Sequence, residues 1–259
     1  MLLRKDTEGV IAMSQPAHAW VSGQLARNWC EMDFVGVREE VCLAAEQHDI
    51  GFLAWEQAPT LNPSTGLPHT FLEMPRRMHL DIWTTGIQHL LRFGRYPALL
   101  VSRHFTCLAK RNGHNGTSED ERLLIDFLER QDEFQTSLET SLSNDFHYGE
   151  FSTEEIVRHH QQLVSLWDWM SLLLCHGLET GHALGWPGWK RASSELKLTP
   201  VSTEITTKVM IAPWPFITPA LTLICEGRRL LRTYNEENEM REGMRAAAPV
   251  MVPIYLVPG

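Results

Sequence analysis

The chain has 259 residues, 43% of them hydrophobic and 21% charged, and a formal net charge of −9. That composition belongs to a globular chain with enough apolar residues for one large core or two unequal ones. The negative balance argues against a grip on nucleic-acid phosphates or an anionic membrane, which clustered Lys and Arg would carry, and leaves a small molecule as the expected partner. No run of about 18 uninterrupted apolar residues occurs, and Met1 to Pro16 is broken by charge, so neither a membrane span nor a secretory leader is expected and the chain is read as cytoplasmic. Cys30, Cys42, Cys107, Cys175 and Cys225 lie far apart among apolar residues with no CxxC pair, the pattern of free core thiols.

In chain order, Leu2 to Lys5 and Val10 to Met13 flank an Asp6-Thr7-Glu8-Gly9 turn, which predicts a hairpin. Ala17 to Trp29 and Val37 to Trp55 each carry an apolar stripe at helical spacing, and His48 falls on the inward side of the second. Pro59 to Pro75 is a loop, because its prolines and glycine defeat both periodicities. Helices resume over Arg76 to Phe93 and Ala98 to Lys110, with a polar connection from Arg111 to Thr117. Ser118 to Glu121 and Ser152 to Glu155 match the capping box and predict helices over about 120–142 and 154–178. Trp186-Pro187-Gly188-Trp189 and Ala212 to Phe216 are expected to bracket irregular chain. Glu204 to Ile211, Leu221 to Glu226, Arg229 to Tyr234 and Val250 to Val257 favour strands, with a hairpin turn at Glu226-Gly227-Arg228 and a short helix from Glu236 to Ala247. The expected fold is α+β: a hairpin over 1–14, a helical body over 15–180, and a small antiparallel sheet over 181–259, to which the hairpin is a candidate to add strands.

The histidines carry the chemistry. His18, His48, His79 and His104 are spaced by 30, 31 and 25 residues, one for each successive helix and loop, and His48 is followed at once by Asp49. Singly, each reads as a helix-start or hydrogen-bonded core histidine; together they supply imidazole and carboxylate donors from several helices to a bundle centre, a familiar kind of metal site. Asp168 sits among Trp167, Trp169, Leu172 and Leu173, where an unpaired carboxylate would be costly and a metal would compensate it, whereas Asp126 reads as solvated. His69 belongs to a loop, and at least one of His159 and His160 reads as solvated.

His18, Ala45-Glu46-Gln47-His48-Asp49-Ile50-Gly51 and Asp168 resemble the HD-domain superfamily of metal-dependent phosphohydrolases over roughly residues 15 to 178. The resemblance implies that His18, His48, Asp49 and Asp168 hold one divalent metal and that His79 and His104 join a second. It implies one or two transition metals (Mn, Fe, Zn or Ni), a small phosphorylated substrate, and catalytic roles for His48, Asp49 and a neighbouring cation. Arg103, Arg76 and Arg77 are candidates for that phosphate contact. Phe52 replaces the lysine of the HDIGK signalling members and no Gly-Tyr-Pro follows, which argues against cyclic-dinucleotide hydrolysis. The whole chain also resembles a bacterial family known only as a domain of unknown function, a likeness that implies no activity.

Two alternatives compete with the hydrolase reading. Some HD-like proteins hold two irons and use dioxygen, and the same donors suit iron. A noncatalytic ligand-binding protein with a vestigial site is the other, its nine tryptophans lining a pocket. Phosphate-loop, nucleophile-elbow and HExxH motifs are absent.

Overall fold

A computed structural model of the chain describes residues 1–112, 116–187, 194–201 and 207–259. His114, Trp189 and the start of the strand expected from Glu204 lie outside the described residues. The N-terminal hairpin forms from β1 (Leu2–Lys5) and β2 (Val10–Met13), paired antiparallel with Leu2 opposite Met13. Asp6 Oδ1 accepts the Glu8 and Gly9 amides and so closes the turn. The helical body comprises α1 (Gln15–Asn28), α2 (Arg38–Gln47), the single turn α3 (Leu53–Glu56), α4 (Arg76–Leu90), α5 (Arg95–Asn112), α6 (Ser118–Ser143) and α7 (Glu154–His176). The proline-rich loop holds a two-stranded ribbon, β3 (Leu61–Asn62) with β4 (Leu67–Pro68). The chain then forms β5 (His182–Trp186), β6 (Ser194–Pro200), β7 (Thr207–Ala212), β8 (Leu221–Leu230), α8 (Glu237–Ala246) and β9 (Pro249–Pro258).

The main sheet runs β1-β2-β8-β9-β7-β6-β5, so the hairpin does join the C-terminal strands. It is antiparallel apart from β7 and β9, which pair in parallel with Met210 opposite Val257. The expected hairpin at Glu226 to Arg228 does not exist: β8 runs straight through it. Gly227 serves close approach instead of a turn, because a Cβ there would lie 2.6 Å from Ile11 and 2.8 Å from Met13 on the neighbouring β2. Chain expected to be irregular supplies β6, which pairs with β5; Leu184, Trp186, Leu196 and Leu198 alternate into the core.

Helix α1 lies between the sheet and the other helices, packing on α2, α7 and β8. Its Gln24 amide acts as an extra piece of strand: Nε2 donates to Ile224 O (2.9 Å) and Oε1 accepts from Ile224 N (3.0 Å). Ile224 has Pro253 opposite it in β9, which offers no N–H, and β2 pairs only with Arg228 to Leu230. The capping threonines are one residue from the expected serines: Thr117 forms the box with Asp120, and Thr153 accepts from the Ile156 amide. Cys42, Cys175 and Cys225 are buried, but Cys107 is exposed, so that thiol is not part of the core. Among the described residues no helix is long and apolar enough to cross a membrane.

Candidate metal centre

His18 stands one turn into α1, whose start is set by Ser14 accepting the Ala17 amide (3.1 Å). The expected continuous helix from Val37 to Trp55 breaks at the very residues of interest. Helix α2 ends at Gln47, His48 caps it, and Ile50 to Phe52 form a 3-10 turn before α3. The break places His48 and Asp49 at a helix terminus facing α1. His104 comes from the middle of α5 and Asp168 from the middle of α7.

All five side chains are buried. Donor atoms of His18, His48 and Asp49 lie within 4.8 Å of one another. His18 Nε2 is 2.8 Å from Asp49 Oδ2, and His48 Nε2 is 3.7 Å from the same oxygen and 3.3 Å from Asp168 Oδ1. Asp168 carries the cluster onward, its Oδ2 lying 3.3 Å from His104 Nε2. Two donors bound at about 2.1 Å to one ion sit roughly 3.0–3.4 Å apart at right or tetrahedral angles, a range that the two 3.3 Å separations at Asp168 match, whereas His18 and Asp49 are at hydrogen-bond distance.

The surrounding hydrogen bonds show what the cluster lacks. His48 Nδ1 donates to the Ala45 carbonyl (2.8 Å), which leaves Nε2 as a lone pair facing two carboxylates. Ser171 Oγ gives its proton to the Asp168 carbonyl (2.8 Å) and lies 2.8 Å from His18 Nδ1, while His18 Nε2 is hydrogen-bonded to Asp49 Oδ2 (2.8 Å). His104 Nδ1 is held by Ser165 Oγ (2.8 Å), and the Nε2 atoms of both His48 and His104 are buried without a hydrogen-bond partner. Two buried carboxylates and three imidazole nitrogens thus converge; Gln15 Nε2 (3.2 Å) and His18 Nε2 (2.8 Å) reach Asp49 Oδ2, while the Nε2 atoms of His48 and His104 have no hydrogen-bond partner. A cation, or failing that a proton, is what satisfies such a set.

The protonation states follow from this arrangement. Burial disfavours the charged form of His48, but the Asp49 and Asp168 carboxylates outweigh it and push its pKa up to about 9. Burial acts to raise both carboxyl groups, and the imidazoles, His48 foremost, hold each below the usual carboxylate range. A metal must therefore displace the His48 proton. Affinity for Mn²⁺ or Zn²⁺, measured by competition with a chelating dye, should rise by about tenfold per pH unit up to pH 9 and then level off. A flat profile from pH 6 to 9 would count against His48 as a ligand.

The structure brings five of the six expected metal residues together. His79 is packed between Phe52 and Trp83 (ring centroids 5.7 and 4.4 Å), and burial lowers its pKa to about 4. It lines a separate cleft of about 630 Å³ with Met74, Arg76 and Leu124. Arg103 is not brought to the cluster: its guanidinium bonds Glu139 (3.1 Å) on α6 and Glu154 (3.0 Å) at the start of α7. Arg77 pairs with Glu119 (3.0 Å) at the surface, and Asp126 is exposed on α6. His159 and His160 are both buried, contrary to the expectation that one is solvated. His159 Nε2 bonds the Asp33 carbonyl (2.7 Å), and His160 spans the Val35 amide (3.3 Å) and Tyr96 Oη (2.9 Å).

Sequence reading passed over the serines that orient the histidines. Ser165 and Ser171 lie three residues to either side of Asp168 on α7, so helical spacing from that carboxylate was the available signal. It also passed over Asp33, whose buried Oδ2 accepts the indole N–H of Trp29 and of Trp186 (2.8 Å each). That bond fixes Trp186 in the wall of a cleft of about 520 Å³ between α5, α7 and β5, onto which His104 and Asp168 open.

No curated protein and no solved structure matches the chain. A family profile described as "Protein of unknown function (DUF3891)" matches residues 1–232, from the hairpin through the helical body and into the sheet, and the chain belongs to that family.

Proposed function

We propose that this protein is a divalent-metal-dependent phosphohydrolase acting on a small phosphorylated molecule. The observation that carries the reading is the convergence of buried imidazole and carboxylate groups from His18, His48, Asp49, Asp168 and His104, of which His104 and Asp168 line an open cleft. The likeness of the His18, His48-Asp49 and Asp168 pattern to HD-domain phosphohydrolases supplies the reaction class. One ion would be held by His18, His48, Asp49 and Asp168, with His104 on the second oxygen of Asp168. When bound, a divalent cation supplies Lewis acidity toward a phosphoryl oxygen and toward water.

The chain's own groups do the positioning. Ser171, the Ala45 carbonyl and Ser165 fix the three imidazoles so that each Nε2 faces inward. His104 and Asp168 are the members of the set that line the cleft, so an entering phosphoryl group meets them first. Arg103 stays outside this reading because two carboxylates already occupy its guanidinium. Glu154 also stands 14 residues before Asp168 on α7, about 21 Å along the helix.

The test combines elemental analysis of the purified protein with phosphate release from a panel of phosphomonoesters, with and without oxygen. The expected result is about one equivalent of a transition metal and oxygen-independent phosphate release, both retained in Arg103→Ala. Bound iron with oxygen consumption and no phosphate release would replace the hydrolase with the oxygenase reading.

A further inference from the structure

We propose that the cleft between α5, α7 and β5 is a two-ended site for an elongated small molecule. Its reacting group would sit at His104 and Asp168, and a second anionic group would lie about two helical turns away on Arg111. The first end rests on the metal reading above; the second rests on separate observations.

Both named ends line one cavity of about 520 Å³, a size that holds a metabolite. His104, Leu108 and Arg111 follow one another on α5 at i, i+4 and i+7, so they share a face, and the two ends are about 10 Å apart along the helix. Among the described residues no acidic side chain pairs with Arg111, whereas Arg77, Arg95 and Arg103 are each held by a carboxylate; Arg111 is also the arginine that lines the same cleft as His104 and Asp168. An exposed guanidinium at the rim of a cavity presents its planar fork to a carboxylate or phosphoryl group. The cleft wall also carries Leu108, Leu184 and Trp169, the last an aromatic side chain left 52% exposed beside Asp168, together with the polar Gln161 and Gln162. A wall of this kind suits a hydrocarbon or planar body joining two polar heads.

The experiment uses the full chain loaded with Mn²⁺ and nonhydrolysable probes: methylphosphonate, ω-phosphonocarboxylates of increasing chain length, and the matching α,ω-bisphosphonates. Binding is followed by tryptophan fluorescence and calorimetry in wild type and in Arg111→Met, with metal content measured on the same preparations. The expected result is a preferred probe length that binds about tenfold or more tightly than methylphosphonate, a gain lost in Arg111→Met at unchanged metal content. The better of the two probe series identifies the distal group as carboxylate or phosphoryl. Affinity independent of length, or a gain that persists in Arg111→Met, overturns the second end while leaving the metal reading intact. A wild-type protein that retains no metal overturns both, and the elemental analysis tells that case apart.

Discussion

Asp168→Asn is expected to strip the cation from the protein and abolish hydrolysis while leaving the fold in place. Asp168 is buried at the centre of α7, and its two oxygens each lie 3.3 Å from a different imidazole Nε2, those of His48 and His104. The substitution removes one of the two negative charges that offset the ion. It also turns an N–H₂ donor toward one of those nitrogens, which fills with a hydrogen bond the space a metal would take. Loss of a partner that merely orients a ligand costs about 10–100-fold in metal affinity, so loss of the ligand itself should exceed the upper figure. Asn has nearly the same shape as Asp, and its amide bonds the imidazole that faces it, so the circular dichroism spectrum should be unchanged. Asp126→Asn, on the exposed face of α6, is the matched control and should keep its metal. Full metal retention in Asp168→Asn would remove this carboxylate from the centre.

Gly51→Ala should destabilise the protein by about 3 kcal/mol, the upper part of the usual range for overpacking. In a chain of this length that corresponds to a fall in Tm of roughly 6–12 °C. The 3-10 turn after Asp49 crosses α4 at a glycine-to-glycine contact. A Cβ on Gly51 would be driven onto the carbonyl oxygen of Ile82 and would come within 2.9 Å of Gly86 N. Both obstacles are backbone, which cannot swing aside as a side chain can. Gly86→Ala comes no nearer than 3.1 Å to Gly51 N and 3.9 Å to the His48 carbonyl oxygen, and gains about 1 kcal/mol of helix propensity, so it should cost much less. Because Gly51 follows His48 and Asp49 so closely, the displaced turn should also weaken metal binding. Thermal unfolding of both variants, with and without Mn²⁺, checks the order; a Gly51→Ala protein that melts with wild type would refute the packing argument.

The same crossing explains why the centre was only partly legible. The stripe of Val41, Ala44, Ala45 and His48 reads as one helix to Trp55, because periodicity reports which side is apolar and not where a neighbouring backbone forces the chain to turn. Gly227 illustrates the converse error. Glycine after glutamate between two apolar runs reads as a turn, yet the residue is there so that β2 can lie against β8. The parallel pairing of β7 with β9 joins segments far apart in sequence, with β8 and α8 between them, and no local pattern encodes it.

What the residues determined by themselves were the local choices: the N-terminal hairpin with its Asp6 turn, the starts of the long helices to within about three residues, the apolar faces, and a set of imidazole and carboxylate donors distributed over successive helices. These depend on neighbours within about two turns of chain, where propensity, capping and periodicity act. Tertiary structure alone decided which donors meet. It brought His18, His48, Asp49, His104 and Asp168 into one acceptor-lined cluster, set His79 against Phe52 and Trp83, and drew Arg103 off to Glu139 and Glu154. The reason is that adjacent residues on a helix point to different faces, and packing decides what each face meets. A step of about 100° sends His104 toward Asp168 and Arg103 toward two carboxylates on other helices.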